Sequence, residues 1–290
     1  MEQANKFWRY LKDPAKTILL ASAHSGISAK LVEEAGFDGI WASGLEISTL
    51  HGVPDASILS MSEHLAIVSQ MARAVNIPII VDCDSGYGNA INVIHTVLEF
   101  ERVGAAGICI EDNPFPKQNS FYDSGDRLLV SVEEFSNKIR AAKSAQKNPG
   151  FTVIARTEAI IAGLGVQEAL KRAMAYVTAG ADMIVVHSKK EVADELAEFS
   201  REWDGRVPLV AIPTKYKDTS VEELKKMGYK MVIFANHTMR SSIKAMRETL
   251  GILIKEQRAA SVEDRVISLK EIELLVGYEK MRENEDRFLK

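Results

Sequence analysis

The chain has 290 residues, 46% of them hydrophobic and 26% charged. That composition suits a globular protein with one large domain and an ample core, and excludes a disordered or fibrous chain. Its 36 basic and 40 acidic residues leave a formal charge of −4, with no long block of either sign, so no nucleic-acid partner is expected.

No apolar run reaches the roughly 18–20 residues that span a bilayer. The polar opening MEQANKFWRYLKD lacks a signal-peptide core, so no membrane partner and a cytoplasmic location are expected. From residue 17 onward one unit recurs: a short apolar or β-branched run, a polar turn, then an amphipathic helical pattern. Strands are expected over 17–23, 39–43, 77–82, 107–111, 151–157, 183–187, 208–212 and 230–235. Helices are expected over 28–35, 64–75, 90–103, 132–146, 166–179, 193–203, 221–227 and 239–257. Glycines at Gly36, Gly104 and Gly180 stand where three of these helices must end. Both cysteines, Cys83 and Cys109, fall inside strand patterns and read as buried thiols.

Eight such units predict an α/β fold, a closed parallel (β/α)₈ barrel of the TIM type. An open doubly wound sheet would need no eighth unit, and the one glycine pair that opens like a dinucleotide turn, Gly163 and Gly165, has Glu168 in place of a third glycine. The expected division is a catalytic barrel over 1–260 and a C-terminal helical arm over 261–290, apolar at Val266, Ile267, Leu269, Ile272, Leu274 and Leu275. The arm either packs on its own domain or docks on a neighbouring subunit.

In such a barrel the chemistry gathers at the C-terminal ends of the strands. The third strand ends in Asp82-Cys83-Asp84-Ser85-Gly86, with two carboxylates at i and i+2 on one side of the strand. Carboxylates held this close repel unless a hard cation, typically Mg²⁺, sits between them. Strand four ends in Glu111 and Asp112, strand five in Arg156 and Glu158, strand six in His187 and Ser188, strand seven in Thr214 and Lys215, and strand eight in Asn236 and His237. Each has a structural alternative: Arg156 and Glu158 an ion pair, His187 a satisfied core histidine, Asn236 a helix cap. With strand two, which ends in Trp41-Ala42-Ser43-Gly44-Leu45, seven polar strand ends together are harder to explain as structure, because unpaired buried charge is costly. The composition of the ring suggests a metal-bound small anion as substrate, with Arg156 suited to a carboxylate or phosphoryl group. A catalytically silent, anion-binding barrel is the rival from another class. The stretch after strand four is about twenty residues without pattern, far beyond the usual βα connection, and reads as a gating loop over about 112–130.

These residues resemble the phosphoenolpyruvate mutase/isocitrate lyase superfamily. The resemblance rests on GIWASGLEIS at 39–48, VPDAS at 53–57, VDCDSGYGN at 81–89, IEDNPFPKQNS at 110–120, IARTEAIIAG at 154–163, VHSKK at 186–190 and FANH at 234–237. It implies Mg²⁺ bound most directly by Asp82, with Asp84, Glu111 and Asp55 completing its shell largely through water. It implies Ser43, Gly44 and Leu45 on the substrate carboxylate and Trp41 walling the site. Arg156, His187 and Asn119 would lie on the phosphoryl group, with Lys117 on the gating loop and Ser120 beside Asn119. It also implies helix exchange between subunits and a dimer of dimers.

The superfamily's carbon–carbon lyases carry Lys-x-Cys-Gly-His in this loop, but Asn119 stands where that cysteine would be, which disfavours cleavage by that route. Mutases carry Asn-Ser at these two positions, as here at Asn119 and Ser120, whereas phosphonopyruvate hydrolases tend to carry Thr-Ser. The run from Pro54 to Ser62 is closely similar to hydrolase sequences, and Asn113 stands where mutases usually have lysine. The expected activity is interconversion of phosphoenolpyruvate and phosphonopyruvate. Hydrolysis of phosphonopyruvate is the alternative, and a lyase or oxaloacetate-type hydrolase the next.

Overall fold

The computed structural model describes residues 2–120 and 127–289. Eight strands, β1 (Ile18–Ala23), β2 (Gly39–Ala42), β3 (Ile79–Asp82), β4 (Gly107–Glu111), β5 (Thr152–Thr157), β6 (Met183–Val186), β7 (Leu209–Ala211) and β8 (Tyr229–Phe234), pair in parallel with their neighbours in chain order. β8 returns to β1 in the register Ile18↔Met231, which closes the barrel. All eight expected strands are present, with ends moved by one or two residues.

The strands alternate between two cores. Ile18, Leu20, Met183, Val185, Met231 and Ile233 fill the barrel interior, while Ala21, Ala23, Ile184, Val186 and Val232 face the surrounding helices. Burial on both faces is why these segments read as nearly unbroken apolar runs.

Two helices were not expected from the sequence. α1 (Glu2–Lys12) is polar along most of its length, yet Ala4 and Phe7 join the interior cluster and plug the end of the barrel where Ile18 and Met231 begin their strands. α2 (Gly26–Glu34) follows β1, and then α3 (Gly44–Leu50), a seven-residue helix, begins directly after β2. The remaining barrel helices are α4 (Met61–Ala74), α5 (Ala90–Arg102), α6 (Val132–Ala145), α7 (Gly165–Thr178), α8 (Asp194–Glu202) and α9 (Val221–Lys226). Serine caps with a glutamate three residues on, Ser60 with Glu63 and Ser220 with Glu223, start α4 and α9.

The helix-ending glycines adopt positive φ at Gly36 (85°), Gly104 (95°) and Gly180 (110°), where a side chain would be strained. Two residues past Gly36 and Gly180, Asp38 and Asp182 accept hydrogen bonds from the backbone N–H groups of Leu19 (2.9 Å) and Val153 (2.8 Å), tying each turn to the preceding strand.

The chain divides into two compact units, Met1–Asn236 and His237–Lys290. The second holds α10 (His237–Glu256), two short 3₁₀ turns, α11 (Leu269–Val276) and α12 (Tyr278–Phe288). Gly277, at φ 84°, breaks the helical pattern of the tail into two. Leu269, Ile272, Leu274, Val276 and Met281 are all exposed.

Candidate active site

The segment after β3 doubles back through a run of left-handed residues, Asp84 (φ 51°), Gly86 (87°) and Tyr87 (56°). The backbone O of Asp84 accepts from the N–H of Glu111 at 2.8 Å, so the two acidic strand ends are stitched together. The Nζ of Lys117 lies 2.5 Å from Asp84 Oδ1 and 2.8 Å from Asp55 Oδ1, with all three side chains almost wholly buried. Ser57 Oγ donates to Asp84 Oδ2 (3.1 Å) and accepts from the Lys117 backbone N–H (3.1 Å). Asn119 Nδ2 donates to Asp55 Oδ2 at 2.8 Å.

Burial pushes the carboxyls of Asp82 and Asp84 up, against the pull of Lys117. It pushes Glu111 up to about 8 despite Arg156 and Lys117 nearby. Lys117 is held well above its ordinary value, since Asp84 and Asp55 outweigh its own burial.

A second cluster surrounds Arg156 on β5. Its Nε donates to Glu158 Oε1 at 2.6 Å and lies 3.4 Å from Glu111 Oε2, and its Nη2 donates to Ser120 Oγ at 2.6 Å. His187 Nδ1 is 2.8 Å from the same Nη2. Because arginine only donates, Nδ1 accepts there and the ring proton is assigned to Nε2. Burial and then the neighbouring guanidinium lower the His187 pKa and keep the ring neutral. Glu158 is fully buried, yet Arg156 and a hydrogen bond from Ser120 hold its carboxyl well below the ordinary range, overcoming the opposing effect of burial.

Ser43 caps α3, its Oγ accepting from the Glu46 N–H at 3.3 Å, so Ser43, Gly44 and Leu45 form the first turn facing the acidic cluster. A Cβ at Gly44 would stand 3.2 Å from Asp84 Oδ1 and 3.4 Å from Asp82 Oδ2, so the glycine keeps space in front of the carboxylates.

One cavity joins these groups. Its lining includes Trp41, Ser43, Leu45, Asp55, Asp82 and Glu111 together with Lys117, Asn119, Ser120, Arg156, His187 and Asn236. Gly44 and Asp84 lie directly behind its wall. The expected gating loop includes residues 121–126, which lie outside the described residues.

Asp112 belongs elsewhere. It accepts from Thr157 Oγ1 (3.0 Å), Glu158 N (2.8 Å), Tyr176 OH (2.7 Å) and Arg172 Nη1 (3.2 Å), which makes it the fastening between the β4 and β5 ends and α7. Ser188 likewise donates to Glu195 Oε2 of α8. Lys215 is exposed, and His237 opens the second unit. Cys83 and Cys109 are free, buried thiols outside the cavity. Asn113 donates to Glu111 Oε1 at 2.8 Å, so the residue that departs from the mutase pattern supports an acidic strand end as a neutral donor. The contacts of Ser57 with the site's charged groups were not anticipated, although Ser57 sits in the VPDAS motif, whereas the ion pair of Arg156 with Glu158 is the alternative stated for these two residues from the sequence.

The model of the phosphoenolpyruvate phosphomutase family matches residues 7–253. The chain belongs to that family. It is 44% identical over 289 residues to a phosphonopyruvate hydrolase of Variovorax sp., with 99% of each chain covered. It superposes with a TM-score of 0.97 on the crystal structure of a phosphoenolpyruvate phosphomutase from Streptomyces platensis subsp. rosaceus, at 44% identity and 99% coverage of each chain. A phosphonopyruvate hydrolase crystallised with oxalate and Mg²⁺ gives a TM-score of 0.94 at 42% identity, with both chains fully covered. The chain is therefore an enzyme of the phosphoenolpyruvate mutase/isocitrate lyase superfamily, and a mutase and a hydrolase resemble it about equally.

Asp112 supplies the first prediction. Asp112→Ala leaves Arg172 and three further donors without their buried acceptor, and should cost about 3–5 kcal/mol of stability. A fall in the urea midpoint with a native-like far-UV spectrum before the transition is the expected result; an unchanged midpoint would mean that the fastening is dispensable.

Proposed function

We propose that the enzyme is a Mg²⁺-dependent phosphoenolpyruvate mutase, moving a phosphoryl group between the enol oxygen and C3 of the same pyruvyl skeleton. The observation that carries this reading is Asn119, the residue characteristic of mutases in the resemblance above, held at 2.8 Å by Asp55 inside the cavity that Arg156 and His187 also line.

The donor set fits a hard dication. Five carboxylates, the buried Asp55, Asp84, Glu111 and Glu158 and the half-buried Asp82, face three cations, Lys117, Arg127 and Arg156. A dication would cancel the difference, and the raised carboxyls of Asp82, Asp84 and Glu111 mark where the charge is short. Among the described residues no three such side chains are arranged to hold an ion directly. That agrees with Mg²⁺, which keeps several waters and takes only one or two carboxylates. Asp82 would hold it directly, with Asp55, Asp84 and Glu111 acting largely through water. When bound, the ion supplies stabilisation of negative charge on the substrate's enolate oxygen and carboxylate. The oxalate-bound relative supports this, since oxalate is a planar anion of the size and charge pattern of pyruvate enolate.

The chain's own groups would divide the remaining work. Ser43, Gly44 and Leu45 hold the substrate carboxylate, and Trp41 closes the wall beside it. Arg156, with Ser120 and the Nε2–H of His187, spreads charge over the phosphoryl oxygens during a loose, metaphosphate-like transfer. The C–P bond of phosphonopyruvate breaks and an O–P bond forms on the same molecule, so neither proton nor water is consumed. Lys117, Asn119 and Ser120 cover the site and keep water from the phosphoryl group. Hydrolysis is the second reading, favoured by the 44% identical hydrolase. There water attacks phosphorus, its oxygen leaves in phosphate, and a proton goes to C3 to give pyruvate.

Incubating the protein with phosphonopyruvate and Mg²⁺ and following ³¹P NMR tests the choice. Phosphoenolpyruvate is expected; phosphate alone would make the enzyme a hydrolase. Asn119→Ala should slow the mutase step by about 10²–10³-fold and raise the share of phosphate, while an unchanged rate would remove the main support for the mutase reading. Asp82→Ala should abolish both turnover and Mg²⁺ binding by calorimetry with the fold intact, and normal activity would sink the metal assignment. The apolar residues exposed on α11 and α12 support an arm exchanged between paired subunits, as does the family resemblance, with two pairs forming a tetramer. Light scattering at micromolar concentration should then give four times the chain mass, and a monomer would refute the exchange.

A further inference from the structure

Arg127 enters the assignment above only through its charge, yet it is one of the most completely engaged side chains at the barrel mouth. Its side chain is 3% exposed. Nη1 donates to the backbone O of Gln118 at 3.1 Å and to Glu158 Oε2 at 3.3 Å, and Nη2 donates to the backbone O of Asn119 at 2.5 Å. One planar guanidinium therefore ties two consecutive carbonyls of the Lys117–Ser120 strip to a carboxylate rooted at the end of β5. That needs the fixed fork of arginine; the single ammonium of lysine cannot span it.

Each partner leads to a group that faces the cavity. The Asn119 side chain goes to Asp55, and the Ser120 hydroxyl donates to Glu158 Oε2 at 2.7 Å while accepting from Arg156 Nη2 at 2.6 Å. The other oxygen of Glu158 holds Arg156 Nε at 2.6 Å. Arg127 and Arg156 thus grip the two oxygens of the same buried carboxylate, one toward the strip and the other toward the cavity. Moving Arg127 away would take its hydrogen bond from the Asn119 carbonyl, leave the Gln118 carbonyl with Asn113 Nδ2 at 3.4 Å, and leave Glu158 Oε2 to Ser120 alone. The strip and Arg156 would then no longer be registered against each other.

We propose that Arg127 is a positioning residue of this enzyme: through Gln118, Asn119 and Glu158 it fixes the Asn119–Ser120 strip over the phosphoryl site and in register with Arg156. The proposal deepens the phosphoryl-transfer reading and rests on it for its kinetic consequences. Its structural consequence does not depend on that reading. Arg127 touches neither Asp82 nor Asp84 in any of these contacts, so the strip should loosen while the acidic cluster keeps its affinity for cations.

The test uses the full-length protein, its Arg127→Ala and Arg127→Lys variants, phosphonopyruvate and Mg²⁺. With Arg127→Ala, kcat is expected to fall about 10–100-fold and the ³¹P spectrum to show a larger share of phosphate. The Mg²⁺ affinity measured by calorimetry should stay within about twofold of wild type. Added methylguanidinium should restore part of the lost rate, because a free guanidinium can reoccupy the vacated fork, whereas a variant that is merely misfolded would not respond. Arg127→Lys should show a similar fall without rescue, and it carries the test if the alanine variant does not fold.

Amide hydrogen exchange supplies an arm that needs no turnover: the peptide 113–120 should exchange faster in both variants. Wild-type kcat in Arg127→Ala, or unchanged exchange in that peptide, would overturn the proposal. A wild-type enzyme inactive on both phosphonopyruvate and phosphoenolpyruvate would sink the proposed function. Faster exchange in the variants would still uphold the positioning role in that case.

Discussion

The structure turns on how a closed barrel accommodates an excess of buried negative charge at its mouth. Five carboxylates converge there on three cationic side chains, and every one of these groups except the half-buried Asp82 is at most a tenth exposed. Water cannot screen them, so each must find a counter-charge or give up its ionisation. Glu158 finds its counter-charges and stays ionised, while Glu111, less well compensated, is pushed up to about 8. The same asymmetry separates the two sides of the cavity. Around Arg156 the carboxylates are matched by guanidiniums and the neutral Ser120 and His187 gather, as an anionic group would require. On the Asp82 side negative charge is in surplus, as a cation would require. A substrate with a phosphoryl group at one end and a chelating keto acid at the other spans such a field in one orientation only.

The fold was legible because a parallel barrel buries its strands on both faces, so each strand is marked by apolar residues without interruption and each helix by its stripe. α1 escaped because only Ala4 and Phe7 of its eleven residues are buried, too few to set a period. α3 escaped because seven residues make barely two turns, and its one sequence signal is the cap at Ser43. Positions in the site were legible to the extent that the two-residue period of a strand was respected. Arg156 and Glu158, at i and i+2, face the cavity side together, while Thr157 between them reaches outward to Asp112. Glu111 and Asp112 are neighbours and must point to opposite sides. That rule was available in the sequence, and it separates the residue in the cavity from the one fastened to Arg172 and Tyr176.

What no periodicity reveals is contact across the strip after β4, because an irregular segment carries no register. Lys117 reaches Asp55, 62 positions earlier in the chain, and Ser120 reaches Glu158, 38 positions later. Both contacts depend on where the strip comes to rest rather than on any spacing within it. The strip is also where the family's members differ in the pattern set out above, which follows from its independence of the barrel: its side chains can change without disturbing a single ladder hydrogen bond.

That separation bears on how one scaffold serves two reactions. A mutase and a hydrolase each share more than two-fifths of their residues with this chain and superpose on its whole length, so the barrel is common to both outcomes. Both reactions also begin with the same broken C–P bond. They diverge only in which nucleophile meets the phosphoryl group, the enolate oxygen already bound or a water molecule from outside. Electrostatic stabilisation by Arg156, as proposed above, would serve either path equally and could not choose between them. Exclusion of water can, and it depends on how tightly the Lys117–Ser120 strip is held against the barrel. In this chain the strip is held by Lys117 to Asp55 and Asp84, by Asn119 to Asp55, and by Ser120 to Glu158. Those contacts tie the strip to the residues that would surround the substrate at both of its ends. On the proposed function, the fate of the phosphoryl group would then be decided by the fit of a few loop side chains, within the charge field at the barrel mouth.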